Sequence, residues 1–331
     1  MKLNNILFLN TLVLGTMITI SSYSWFSMWM GLEINLLSFI PLVSKKNVSS
    51  SEASMKYFFV QMMASMIIMF VILFSLLKND SLMPLNNWMS LILNSSLLMK
   101  MGMAPFHFWF IEVIEGFSWM TSFILLTWQK IAPMIIILYN SINLYFLVFI
   151  IILSMMISGL KSWNQTSMKK ILALSSINHM GWMMSILMMN QISWLIYFLI
   201  YTFMNLVLIL MMNLNNISKM SQILNLKMNK TMKFFFFMNF LSLGGLPPFL
   251  GFFPKWLVLK SLIFNNMEIL SLIMVFLTIL MLFIYIRILI QSLILKNIES
   301  KISFSKSSFL INFLNYFNLF GLILFSFFMN F

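Results

Sequence analysis

The chain has no cysteine, which rules out disulfides, iron–sulfur clusters and thiolate metal sites. His107 and His179 are its only histidines, a poor basis for a bis-histidine haem. Charge is scarce as well: 8% of the 331 residues are Asp, Glu, Lys or Arg, against about 25% in a soluble domain. Water is not the solvent for such a chain. Arginine occurs once, at Arg287, and alanine is rare, while Met (35) and Phe (36) abound, a usage that points to an AT-rich genome.

Apolar side chains make up 61% of the sequence and the mean hydropathy is +0.98. Runs of the roughly 20 residues needed to cross a bilayer tile the chain from Leu3 almost to Phe331. The pattern predicts an all-α membrane protein, a single bundle of about eleven transmembrane helices. These fall near 3–20, 24–43, 56–77, 88–115, 118–140, 143–160, 168–188, 193–213, 231–264, 267–290 and 310–330. The first run lacks a small-residue cleavage site and reads as a retained helix rather than a signal peptide. The methionines are scattered over all the spans, which suits core or lipid-facing filler better than copper binding. The net charge of +13 sits singly in loops, so topology explains it better than nucleic acid.

Two spans are too long for one crossing and carry Gly together with Pro: the fourth at Met101-Gly-Met-Ala-Pro105 and the ninth at Gly244-Gly-Leu-Pro-Pro-Phe-Leu-Gly251. Both are expected to be interrupted helices, because Pro removes a helix hydrogen bond. The second segment is Gly-rich but is unlike a phosphate-binding turn, since it follows an apolar span and holds two prolines.

With eleven spans, the N-terminus and every second loop share Lys2, Lys45, Lys46, Lys56, Lys161, Lys169, Lys170, Lys219, Lys227, Lys230, Lys233, Lys296, Lys301 and Lys306, and the other side has only Lys78. One missed span would swap the sides from that point on. Lysine favours the side from which a membrane protein is inserted, so the N-terminus is expected on that side and the C-terminus opposite. Helices one to five (1–140) and six to ten (141–290) each have a broken fourth member. An odd repeat length implies opposite topology, as in transporter folds with a site at mid-membrane. Residues 291–331 are a loop and a final helix outside the repeat.

Five basic residues remain once the loops are counted. Arg287 and Lys260 lie near span ends and can snorkel, whereas Lys100, Lys130 and Lys255 cannot easily do so. A cation at mid-bilayer costs about 2.5 to 3.5 kcal/mol each, a sum comparable with a domain's total stability of about 5 to 15 kcal/mol. Packing against backbone carbonyls at the breaks is the bland explanation. A proton path is the sharper one, since the three lie near one depth. Glu33, in Gly31-Leu-Glu-Ile-Asn-Leu-Leu37, is the one acid clearly inside a span and the expected partner of Lys100. Burial disfavours an ammonium and a nearby carboxylate favours it, so moving Glu33 would load or unload a proton. Glu112 and Glu115, on the Lys-rich side, suit proton intake or solvated capping equally. His107 suits a relay or a structural role, and His179 reads as structural.

Four segments now stand out: Gly31 to Leu37, Lys100-Met-Gly-Met-Ala-Pro-Phe-His-Phe-Trp109, Lys169-Lys-Ile-Leu-Ala-Leu-Ser-Ser-Ile-Asn-His-Met-Gly-Trp182 and Leu243-Gly-Gly-Leu-Pro-Pro-Phe-Leu-Gly-Phe-Phe-Pro-Lys-Trp256. In order and spacing the set resembles the NADH dehydrogenase subunit 2 family, antiporter-like membrane subunits of mitochondrial complex I. It is most similar to the animal form, which lacks the first three helices of longer members. The resemblance implies a proton-translocating subunit of the membrane arm of NADH:ubiquinone oxidoreductase, with Glu33, Lys100, Lys130 and Lys255 as its charged axis. It implies no cofactor in this chain: NADH, FMN, Fe–S clusters and ubiquinone would belong to other subunits, with phospholipids such as cardiolipin as candidate ligands. Expected partners are other membrane-arm core and accessory subunits and the lipid bilayer, with no nucleic acid. The location implied is the inner mitochondrial membrane, N-terminus in the matrix and C-terminus in the intermembrane space, and the lack of an Arg-rich presequence suits an organelle-encoded chain. The rival readings are a stand-alone cation/proton antiporter and a structural scaffold.

Overall fold

The computed structural model describes residues 3–44, 47–77, 87–140, 143–224, 230–294 and 313–322. Of the lysines that set the topology, Lys2, Lys45, Lys46, Lys78, Lys227, Lys296, Lys301 and Lys306 lie outside the described residues. The chain divides into two compact units, Met1–Ile150 and Ile151–Phe331.

The first unit contains α1 (Leu3–Ser21), α2 (Trp25–Val43), α3 (Val48–Leu77), α4 (Asn87–Met101), α5 (Phe108–Gly116), α6 (Trp119–Leu126) and α7 (Trp128–Tyr139). The helix α2 starts where Ser24 Oγ accepts the Ser27 N–H at 3.2 Å, a side-chain cap for an otherwise orphaned donor. α1 and α2 pack closely through Gly15 and Gly31; a Cβ on Gly31 would lie 2.8 Å from the Gly15 carbonyl oxygen. Small residues allow that approach, the usual basis of helix pairing in lipid. α3 carries a stripe of exposed Met55, Phe59, Met63, Met66, Phe70 and Leu77, spaced as one helix face. Such a face suits lipid.

α3 begins at Val48, two turns before the apolar run, so Lys56 belongs to a helix and not to a loop as its charge suggested. Asn47 closes this extra segment, its carbonyl accepting the N–H groups of Ser50 and Ser51 at 3.1 Å. A second difference concerns the fifth span, expected as continuous over 118–140. It is interrupted at Thr127, between α6 and α7. Pro133 has no N–H and crowds the carbonyl four residues back. The Lys130 N–H turns to Thr127 O at 3.2 Å, a tightened i−3 bond, and Thr127 Oγ1 donates to Phe123 O at 2.7 Å.

α8 (Leu144–Ser162) leads into the second unit, which contains α9 (Met168–Leu187), α10 (Gln191–Leu214), α11 (Met220–Leu224), α12 (Lys230–Gly244), α13 (Phe252–Phe264), α14 (Glu268–Ile294) and a helix over 313–322, α15. α9 is its axis: every residue from Ile171 to Leu187 is buried, and α10, α13 and α14 pack around it. That position explains a sequence too polar for lipid, with Ser175, Ser176 and Ser185 each donating to a carbonyl three residues back at 2.6 to 2.9 Å. α14 shows the opposite pattern, exposing Ile269, Leu272, Phe276, Ile279 and Phe283 along one stripe. Arg287 on α14 does not snorkel freely: its guanidinium donates to Trp163 O at 2.6 Å and Gln165 O at 3.2 Å.

Among the described residues seven helical stretches are long and apolar enough to cross a membrane, α6 and α7 counted as one. The pairs α4/α5 and α12/α13, the polar α9 and α15 fall on the other four expected spans. The protein is an all-helical membrane protein.

Candidate proton-transfer site

Both predicted interruptions are present, and they are built alike. In the fourth span, Gly102 has φ +71° and Met103 N–H reaches back to Leu98 O at 3.1 Å while Gly102 N–H bonds Met99 O at 3.2 Å. In the ninth, Gly245 has φ +77°, Leu246 N–H reaches Leu241 O at 3.4 Å and Gly245 N–H bonds Ser242 O at 3.0 Å. This is the Schellman closure of a helix C-terminus, for which glycine supplies the left-handed residue. A proline follows each within three residues and prevents the helix from resuming in register. A C-terminus inside a membrane exposes carbonyl oxygens and the negative end of a helix dipole, so a cation belongs there.

Lys100 occupies the last turn of α4 and is 6% exposed. It lines a cavity of ≈ 10 Å³ together with Leu32, Asn35, Leu36, Tyr57, Gln61, Gln129 and Pro133. That is room for about one water. Asn35 Oδ1 accepts from Gln129 Nε2 at 2.9 Å, Tyr57 OH reaches Gln129 Oε1 at 3.4 Å, and Gln61 Nε2 donates to the Lys100 carbonyl at 3.1 Å. Tyr57 is held by its ring, between Phe39 at 5.1 Å and Trp109 at 6.0 Å.

Glu33 and Lys100 make no ion pair in this conformation. Glu33 is half-buried and its Oε1 has no hydrogen-bond partner. Lys130 is 1% exposed on the first turn of α7, just past the Thr127 interruption, with its amine 5.2 Å from the centre of the Phe110 ring. Lys255 is half-buried on α13 and folds back onto the end of α12, donating to Gly244 O at 2.7 Å and Leu243 O at 3.5 Å, with the Trp182 ring 5.9 Å away. Each of the three lysines therefore stands beside an irregular turn. Lys260 is exposed and rests on the Trp256 ring at 5.4 Å, the arrangement expected of a snorkelling side chain.

Glu112 and Glu115 line an open pocket of ≈ 290 Å³ with Ser49, Glu52, Ala53, Lys56 and Gly116. Glu112 pairs with Lys56 at 2.6 Å, both more than half exposed. Ser49, Ala53, Tyr57 and Gln61 follow at four-residue intervals along α3, so one helix face leads from this pocket to the Lys100 cavity. His107 is buried and directs Nδ1 to Pro105 O at 3.1 Å inside the break, and His179 directs Nδ1 to Tyr197 OH at 2.9 Å. Nothing in the sequence singles out Tyr57, Gln61, Gln129 or Asn35. For Tyr57 and Gln61 the only signal is the four-residue spacing on α3, which has no meaning until the facing helices are known.

An all-helical membrane protein with lysines at interrupted helices defines a class, that of ion-translocating membrane proteins. Residues 22–281 match the family described as NADH:quinone oxidoreductase/Mrp antiporter, TM. NADH-ubiquinone oxidoreductase chain 2 of Anopheles gambiae is 50% identical over 291 residues, 87% of this chain and 85% of that protein. The protein of the same description from Aedes aegypti is 48% identical over 290 residues, 86% of this chain and 85% of that one. In fold, the chain matches a chain of respiratory complex I from Thermus thermophilus, solved with bound aureothin, at a TM-score of 0.81 and 21% identity, covering 95% of this chain and 75% of that one. The chain belongs to the NADH:quinone oxidoreductase/Mrp antiporter family and, within it, to the NADH-ubiquinone oxidoreductase chain 2 group.

Proposed function

We propose that the chain is an antiporter-like, proton-translocating subunit in the membrane arm of mitochondrial NADH:ubiquinone oxidoreductase. The observation that carries this reading is the Lys100 cavity: a buried amine beside a helix break, surrounded by amides and a phenol, at the end of a helix face that starts in an open acidic pocket. Protons would enter through the pocket at Glu112 and Glu115, pass Tyr57 and the Gln129–Asn35 pair with a water in the cavity, and reach Lys100. Glu33 is the movable counter-charge, because a carboxylate oxygen without a partner is held by no bond that it must break before moving. Lys130 is next in the path and Lys255 ends this chain's part of it, while His107, bonded within the break, holds local structure.

Quinone reduction in other subunits would drive the transfer, and this chain would carry no redox centre of its own. NADH, FMN, Fe–S clusters and ubiquinone would bind elsewhere in the complex. The chain would cross the inner membrane eleven times, with its N-terminus in the matrix, flanked by other core and accessory subunits and by phospholipids. One observation favours a scaffold instead: Lys255 is satisfied by two backbone carbonyls, as a packing role requires. Substitution in the intact, assembled complex separates the two. Lys100→Met should lower both protons pumped per NADH and quinone reductase turnover, and unchanged values in an assembled complex would leave the scaffold.

A further inference from the structure

The second break is also gripped by α15. Asn239 and Ser242, on the last turns of α12, and Asn315 and Asn318, one turn apart on α15, are all fully buried. Asn239 Nδ2 donates to Asn315 Oδ1 at 2.7 Å, and Asn318 Nδ2 donates to Asn239 Oδ1 at 2.8 Å and Ser242 Oγ at 3.1 Å. The Asn318 carbonyl accepts the Leu250 N–H at 3.4 Å, at the far end of the break. Gly321 lies so close to Leu250 that a Cβ there would collide with its side chain. One short helix thus holds both edges of the interruption, and between those edges lie the Leu243 and Gly244 carbonyls that hold the Lys255 amine.

Adhesion alone does not account for this choice of residues. Asn315 Nδ2 and Asn318 Oδ1 are buried without partners, a cost that an apolar seam would avoid. Buried amides provide direction, since only one register of α15 completes the chain of bonds, and fixing register is the best-attested use of such groups.

We propose that Asn315 and Asn318 are positioning residues for Lys255: by clamping Asn239, Ser242 and Leu250 they set the spacing of the break and so the placement of the carbonyls that bind the amine. The role rests on the proton-transfer reading of Lys255. It predicts that the clamp governs proton handling as well as rigidity.

The test uses the intact complex carrying Asn318→Ala, Lys255→Met or both, with assembly checked on native gels. In Asn318→Ala, hydrogen exchange at Leu246, Phe249 and Leu250 should quicken about tenfold, the factor equivalent to 1.4 kcal/mol. The pH profile of pumping by the assembled complex should be displaced by about one unit, and the Lys255→Met background should show no such displacement. If Asn318→Ala does not assemble, Asn315→Ala, which removes one of the two asparagine partners of Asn239 and leaves the Asn318 bonds to Asn239 and Ser242 in place, is judged by the same measures. Unchanged exchange, or faster exchange with an unmoved profile, overturns the proposal. If Lys255→Met lowers pumping but the asparagine variant leaves the profile in place, only the positioning role falls. If Lys255→Met changes nothing, the proton-transfer reading of Lys255 falls with it.

Discussion

A lysine side chain within a bilayer needs something to hold its charge, and four lysines of this chain find different things. Lys100 has a polar cavity, Lys130 an aromatic ring beside a tightened turn, Lys255 a pair of carbonyls, and Lys260 an exposed indole. Methionine keeps most of the length and packing of lysine and removes the charge, so it isolates that difference. Lys100→Met and Lys130→Met should each reduce pumping and turnover with the complex assembled, while Lys260→Met should have little effect on either, read by proton uptake and NADH oxidation in membrane vesicles. Tyr57→Phe tests the route to Lys100: the ring keeps its places against Phe39 and Trp109 and the hydroxyl is lost. Pumping should slow without a change in the thermal stability of the complex; an unaffected rate would remove Tyr57 from the path. The lysines were legible from depth alone, because a charge in an apolar run announces itself. Tyr57, Gln61 and Gln129 were not, since a polar letter in a helix reads alike whether it faces a cavity, a neighbour or a headgroup.

At the scale of elements, the two interrupted spans were readable because glycine and proline together leave a helix few alternatives, and both breaks use the same closure at Gly102 and Gly245. Gly245→Ala should be costly on two counts. A left-handed residue with a side chain loses about 1 to 2 kcal/mol, and the added Cβ would lie 2.7 Å from Lys255 Cδ. The expected outcome is a lower melting temperature of the assembled complex together with impaired pumping, since relief of the contact must move Lys255. The interruption at Thr127 was not readable in the same way. A lone Pro133 within an apolar run is compatible with a gentle bend as well as with a break, and the outcome rests on Thr127 Oγ1 and Phe123 O, a local bond that sequence does not display. The start of α3 is hidden for a related reason: its first two turns are polar because they line the acidic pocket, so hydropathy alone begins the helix too late.

For the whole molecule, the strongest constraint is the distribution of lysine among the connections. With eleven crossings, fourteen lysines share one side and Lys78 stands alone on the other, and inserted proteins keep Lys on the side of synthesis. The helices agree with that count only if each interrupted pair, α4 with α5, α6 with α7 and α12 with α13, makes a single crossing, since counting any one half-helix as a crossing of its own would move every later lysine to the opposite side. Epitope tags or protease sites near Lys45 and Lys227 should therefore be reachable only from the matrix, in inverted inner-membrane vesicles. A tag at the C-terminus should be reachable only from the intermembrane space, in mitoplasts. Finding the C-terminus and Lys45 on the same side would mean an even number of crossings between them, and the layout of eleven would have to be abandoned. If instead Lys45 itself were reached from the intermembrane space, the acidic pocket at Glu112 would open on the face opposite to the one that proton intake from the matrix requires, so this topology is the test on which the direction of the proposed path depends.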